Sequence, residues 1–140
     1  MTADTIEMIT RETLLDRVRA FRDLRYRLVQ ISAARLPDSM EITYSFDLAG
    51  HMISLRILLP PDDLNIPSIS SIYACVLLYE NEMHDLFGIH VHDMAVDFKG
   101  NLYKTSVKYP LGSTKVVCGK PDAPVKFQAP VQPPSTAPTN

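Results

Sequence analysis

Two cysteines in 140 residues, Cys75 and Cys118, are too few and too far apart for an iron–sulfur or zinc site of the common kind. They form no C-x-x-C pair and read as ordinary reduced thiols. No apolar run approaches the ~20 residues that a membrane span needs. The first residues, "MTADTIEMIT", lack a basic start followed by an apolar stretch, so no signal peptide is expected and the reading is a soluble, intracellular protein. Charge of one sign is also missing. The formal net charge is −2, which argues against nucleic acid as the main partner. There is no G-x-S-x-G, no nucleotide-binding glycine loop and no H-E-x-x-H. The early arginines (Arg11, Arg17, Arg19, Arg22, Arg25, Arg27) read as a solvated helix face running into a strand.

What is present fits one domain with one core. Residues 10–21 have helical periodicity: Leu14, Val18 and Phe21 make an apolar stripe, Thr10 stands at the cap and Glu12 suits the first turn. Residues 24–34 look extended, and Pro37-Asp38-Ser39 is a turn. "EITYSFDL" and "MISLRILL" alternate apolar and polar around Ala49-Gly50, the pattern of a hairpin, and Pro60-Pro61 end the second strand. Residues 71–87 return to helical period, with Ser70 or Ser71 as cap. Ile72, Cys75, Val76, Tyr79, Met83, Leu86 and Phe87 are its expected buried face, and Gly88 is its stop. "IHVHDM" follows as a short extended piece.

The order helix, three strands, helix, short strand predicts a small α+β domain: an antiparallel or mixed sheet of three to four strands with helices packed on it, over residues 1–107. Residues 108–140 are expected to be an extended tail, because six of the eleven prolines lie between Pro121 and Pro138. Val116, Val117, Val125 and Phe127 would let such a tail lie on a partner.

The chemistry is concentrated in "YENEMHDLFGIHVHD", residues 79–93. On a helix, Glu80 and His84 fall on one flank and Glu82 and Asp85 on the other, with Leu77, Leu78 and Asn81 between them on the side away from the core. Two leucines on that side point to a second, covering surface. Glu80, His84, His90 and His92 have the residue types of a catalytic zinc or iron site, which leaves a stand-alone metalloenzyme as one reading. Carboxylates near arginines are more commonly an ion-pair network.

"YENEMHDLFGI" also resembles the signature of the 30-kDa subunit family of respiratory complex I, the NADH dehydrogenase of respiratory chains. That signature is Glu-Arg-Glu, two variable residues, Asp, two apolar residues and Gly-Ile. Glu80, Glu82, Asp85, Leu86, Phe87, Gly88 and Ile89 match it. The upstream "LLPPDDLNIPSISSIY" is similar too, and the resemblance covers about residues 24–92. Two positions depart. The central arginine is Asn81 here, and "AVDFKGNLYKTS" stands where the family has a His-Pro-Asp-Leu-Arg run. That variant is more similar to the homologous subunit of membrane-bound, energy-converting nickel–iron hydrogenases of the Ech type.

The resemblance implies a hydrophilic accessory subunit with no active site, cofactor or metal of its own. It would sit peripherally on the cytoplasmic side of the membrane. Its partners would be a hydrogenase-like large subunit and a small iron–sulfur subunit, which carry the nickel–iron centre and the clusters. Glu80, Glu82, Asp85, Leu86, Phe87, Gly88 and Ile89, with Leu77 and Leu78, would form the docking and structural motif, its acids pairing with arginines of the domain or of the large subunit. The alternative within the family is the 30-kDa subunit of a complex I-like NADH or ferredoxin:quinone oxidoreductase.

Overall fold

The computed structural model describes residues 4–112. Cys118 and residues 113–140 of the expected tail lie outside them. The elements in chain order are β1 (Thr5–Met8), α1 (Arg11–Asp23), β2 (Arg27–Arg35), β3 (Met40–Leu48), β4 (His51–Leu59) and β5 (Asn65–Pro67). A 3-10 turn (Ala74–Val76), α2 (Leu77–Phe87) and β6 (His90–His92) follow.

β2, β3 and β4 form an antiparallel meander. β1 joins it at the far edge, parallel to β4, giving the order β1-β4-β3-β2. The expected hairpin is there. Leu48 faces His51 across a two-residue turn in which Ala49 and Gly50 both take positive φ (52° and 85°), the geometry whose twist matches that of the strands. Alternation along β3 and β4 puts Ile42, Tyr44 and Phe46 with Leu55, Ile57 and Leu59 on one face, all buried. α1 lays Leu14, Val18 and Phe21 on that face, and the Phe21 ring meets the Phe46 ring edge-on at 5.0 Å between centroids. This is a mixed four-stranded α+β domain, as the pattern predicts.

β1 and β5 were not expected. β1 is only four residues long and mostly exposed, so it carries no periodic apolar signal. β5 has three residues and pairs in parallel with the equally short β6. Their pairing draws the loop after β5 toward β6: the Ser68 N–H donates to the His92 carbonyl at 2.8 Å.

The cap and buried face of the second helix need correction. Regular helix begins at Leu77, not near residue 71, and neither Ser70 nor Ser71 caps it. Ser70 is engaged elsewhere, its hydroxyl accepting the Ala95 N–H at 3.0 Å. Cys75, expected in the core, is exposed. Val76 and Met83 are buried as expected, but the other buried residues of α2 are Glu80, Asn81 and Asp85. Periodicity assumes that water covers one side of a helix; here chain covers nearly all of it.

Several of the early arginines are engaged locally. Arg11 pairs with Asp63 at 2.5 Å, Arg17 with Glu7 at 2.5 Å and Arg27 with Asp47 at 2.9 Å. The Arg11 hydrogen bond, helped by Asn65, holds the Asp63 carboxyl down at about 2.

Candidate functional site

α2 is gripped by two irregular segments. One is the 68–70 loop. The other is residues 93–112, called here the strap, which runs back over the helix after β6. Irregular backbone that is covered must find hydrogen-bond partners. The helix supplies them through three polar side chains.

Glu80 is 1% exposed. One of its oxygens accepts the Ser68 hydroxyl at 2.6 Å and the other the Ile69 N–H at 2.8 Å. Burial pushes its carboxyl above the ordinary range, against the pull of those two donors. Asn81, also 1% exposed, accepts the Phe98 N–H at 3.0 Å on Oδ1. Its Nδ2 donates to the Val96 carbonyl at 3.1 Å and the Leu77 carbonyl at 2.8 Å. Asp85 accepts the Tyr103 N–H at 2.9 Å on Oδ2, and its Oδ1 lies 3.0 Å from His84 Nδ1. Burial works against the charge of Asp85, but the His84 and backbone hydrogen bonds win and hold its carboxyl below the usual value.

The predicted motif residues therefore divide. Glu80 and Asp85 are turned inward, and among the described residues neither meets an arginine, which corrects the expected ion pairing within the domain. Asn81, expected on the outside, is covered by the strap. Glu82, Leu86 and Phe87 are half-buried along the cleft between α2 and β2, where Leu111 also lies. Ile89 is in the core. Leu77 is half-buried, and Leu78 stands 57% exposed.

Gly88 ends the helix with φ 73°, in the left-handed region, and its N–H reaches the His84 carbonyl at 3.0 Å. It has a second reason to be glycine. A Cβ there would stand 3.0 Å from the Tyr109 ring. Gly112 approaches still closer, since a Cβ on it would lie 2.5 Å from the Phe87 carbonyl oxygen. Between them the Leu111 N–H donates to the Leu86 carbonyl at 2.8 Å. The end of the strap thus closes over the end of α2.

The four proposed metal ligands do not converge. Glu80 faces Ser68, His84 faces Asp85, and His92 pairs with Asp93 at 3.1 Å on the surface. His84 and His90 are neighbours, with ring centroids 6.5 Å apart. Among the described residues no group of three or more His, Cys, Asp or Glu side chains is placed to hold a metal ion. No helix among them is long and apolar enough to cross a membrane.

The family profile described as "Respiratory-chain NADH dehydrogenase, 30 Kd subunit" matches residues 8–113. The chain belongs to that family. The match runs from the end of β1 through the full strap. No curated protein matches the chain. Among solved structures it is similar to a chain of the membrane-bound sulfane sulfur reductase, an archaeal respiratory membrane complex. The TM-score is 0.69 at 18% identity, over 79% of this chain and 69% of that one. It is also similar to Nqo5, as a trypsin-resistant fragment, with TM-score 0.59 at 18% identity over 65% of this chain and 80% of that one. These likenesses show the 30-kDa-subunit fold. Within it, Glu80 and Asp85 of the signature fasten α2 to its surroundings.

Sequence reasoning missed Ser68, the strap and Tyr109 as parts of this site. A usable signal was there: Gly88, Gly100 and Gly112 mark places where chain passes close to α2.

Proposed function

We propose that this 30-kDa-family chain is a non-catalytic, hydrophilic accessory subunit of a multi-subunit membrane oxidoreductase, of the energy-converting nickel–iron hydrogenase type. It carries no cofactor of its own and docks on the large catalytic subunit and the small iron–sulfur subunit, peripherally on the cytoplasmic side. The observation that carries the hydrogenase reading is the contact between the two departures from the family signature. Asn81, in place of arginine, holds Val96 and Phe98 of the segment that replaces the His-Pro-Asp-Leu-Arg run. A coupled change of helix and strap supports a partner face different from that of a quinone-reducing complex. Leu78, bare on the helix surface, is available to such a partner.

The second reading is the 30-kDa subunit of a complex I-like NADH or ferredoxin:quinone oxidoreductase, which the family's own description favours. Purification from native membranes separates them. The chain is expected to travel with iron–sulfur subunits and a large subunit containing nickel. Co-purification with a nickel-free large subunit selects the quinone-linked alternative. Recovery as a free monomer rejects both.

A further inference from the structure

The strap does more than cover α2. Between it and the end of the helix it leaves a cavity of about 440 Å³, within the range of small-molecule sites. Val91 and Met94 give it an apolar part. Its polar wall is lined by His84, His90, Lys99, Lys108, Tyr103 and Tyr109.

That wall has donors left over, the two ammonium groups and the two phenols. Asp85 lines the cavity, but both its oxygens are engaged by His84 and the Tyr103 N–H. Asp97 also lines it; its Oδ1 accepts the Lys99 N–H at 2.7 Å, and its other oxygen has no partner among the described residues. Neither lysine forms an ion pair with a carboxylate among the described residues; the Lys108 ammonium lies instead 5.9 Å from the Tyr109 ring centre. The phenol groups of Tyr103 and Tyr109 have no hydrogen-bond partner among those residues either.

We propose that this cavity is a binding site for a small organic oxyanion, with its phosphate or carboxylate on Lys99 and Lys108 and a ring or apolar body against Val91 and Met94. Two ammonium groups and two phenols supply the charge-assisted bonds such a group takes. A cavity of this size has room for a body as well as for the anion. The inference concerns the chain itself and does not depend on which complex it joins.

The full-length chain titrated with phenyl phosphate, followed by the imidazole signals of His84 and His90, tests it. Saturable binding that shifts both signals is expected, with phenol, the uncharged ring, failing to compete. The double variant Lys99→Gln/Lys108→Gln should lower the affinity at least about tenfold, as removal of two charge-assisted contacts requires, with no change in melting temperature. Benzoate binding more tightly than phenyl phosphate would support the site and fix the oxyanion as carboxylate. Absence of saturation in the millimolar range, or binding indifferent to the double variant, overturns the proposal. So does binding by the free chain that disappears in its native assembly, because the cavity would then belong to a partner's side chain.

Discussion

Asn81 and Phe98 are joined across seventeen residues by a 3.0 Å hydrogen bond from the Phe98 N–H to the Asn81 side-chain oxygen. The same amide donates to Val96 and Leu77 carbonyls, so one buried side chain satisfies three backbone groups. An amide can do this because it both donates and accepts.

Replacing it with an apolar residue of similar volume leaves those groups without partners. Asn81→Leu is expected to destabilise the domain by about 1–3 kcal/mol. Urea unfolding measures the loss, and amide hydrogen exchange locates it: Phe98 should lose its protection while β3 keeps its own. Equal protection of Phe98 in both proteins would show that Asn81 does not hold the strap.

Gly88 combines a left-handed backbone with an aromatic ring at contact distance. Gly88→Ala should cost about 1–2 kcal/mol from backbone conformation alone, and more because the new methyl meets Tyr109. In a Tyr109→Ala background the same substitution should cost less. A cost identical in the two backgrounds would mean that the ring does not rest on the glycine.

Glu80 gives a pH dependence of definite sign. Its carboxyl is raised by burial, so the folded chain holds this proton to higher pH than the unfolded chain does. Its contribution to stability is therefore full below the unfolded carboxyl pKa and is lost as pH rises through the raised folded value. Glu80→Gln cannot titrate. The stability of this variant relative to the parent should improve as pH rises from the ordinary carboxylate range through the raised folded value, as the parent's glutamate ionises. Paired urea titrations at the two ends of that range check it, and a variant that loses ground to the parent as pH rises contradicts it.

Tyr44 is fully buried, and its hydroxyl has no partner among the described residues. Burial, and then the nearby Glu80 charge, push its phenol pKa far upward. Tyr44→Phe keeps the ring and removes the unsatisfied group. It should leave stability unchanged or raise it by up to about 1 kcal/mol. A clear loss in thermal unfolding would reveal a partner for the hydroxyl.

The sheet was legible in the sequence because β3 and β4 alternate cleanly and turn at Ala49-Gly50. α1 was legible because Leu14, Val18 and Phe21 face a core on one side and water on the other. α2 was legible as a helix, and its glycine stop was correct, but its faces were not. Glu80, Asn81 and Asp85 look like surface residues, and only the segments lying over them make them interior. Nothing local in "AVDFKGNLYKTS" announces that it folds back over the helix. β1 was missed for a related reason: its pairing is to backbone groups of β4, far away in sequence, and asks little of its own side chains.

Every hydrogen bond that Asn81 sends to the strap ends on a main-chain atom, Val96 O or Phe98 N, and the Asp85 bond to the strap ends on Tyr103 N. Through these bonds the helix recognises the path of the chain between 96 and 103 and not its side chains. Side chains at 96, 98 and 103 are free to vary as far as this clamp is concerned. An insertion or deletion between 96 and 103 is a different matter, because it moves a donor or acceptor out of reach. Gly100, at φ 79°, and Lys99, at the cavity, aside, the segment should tolerate drift in composition while its length stays fixed.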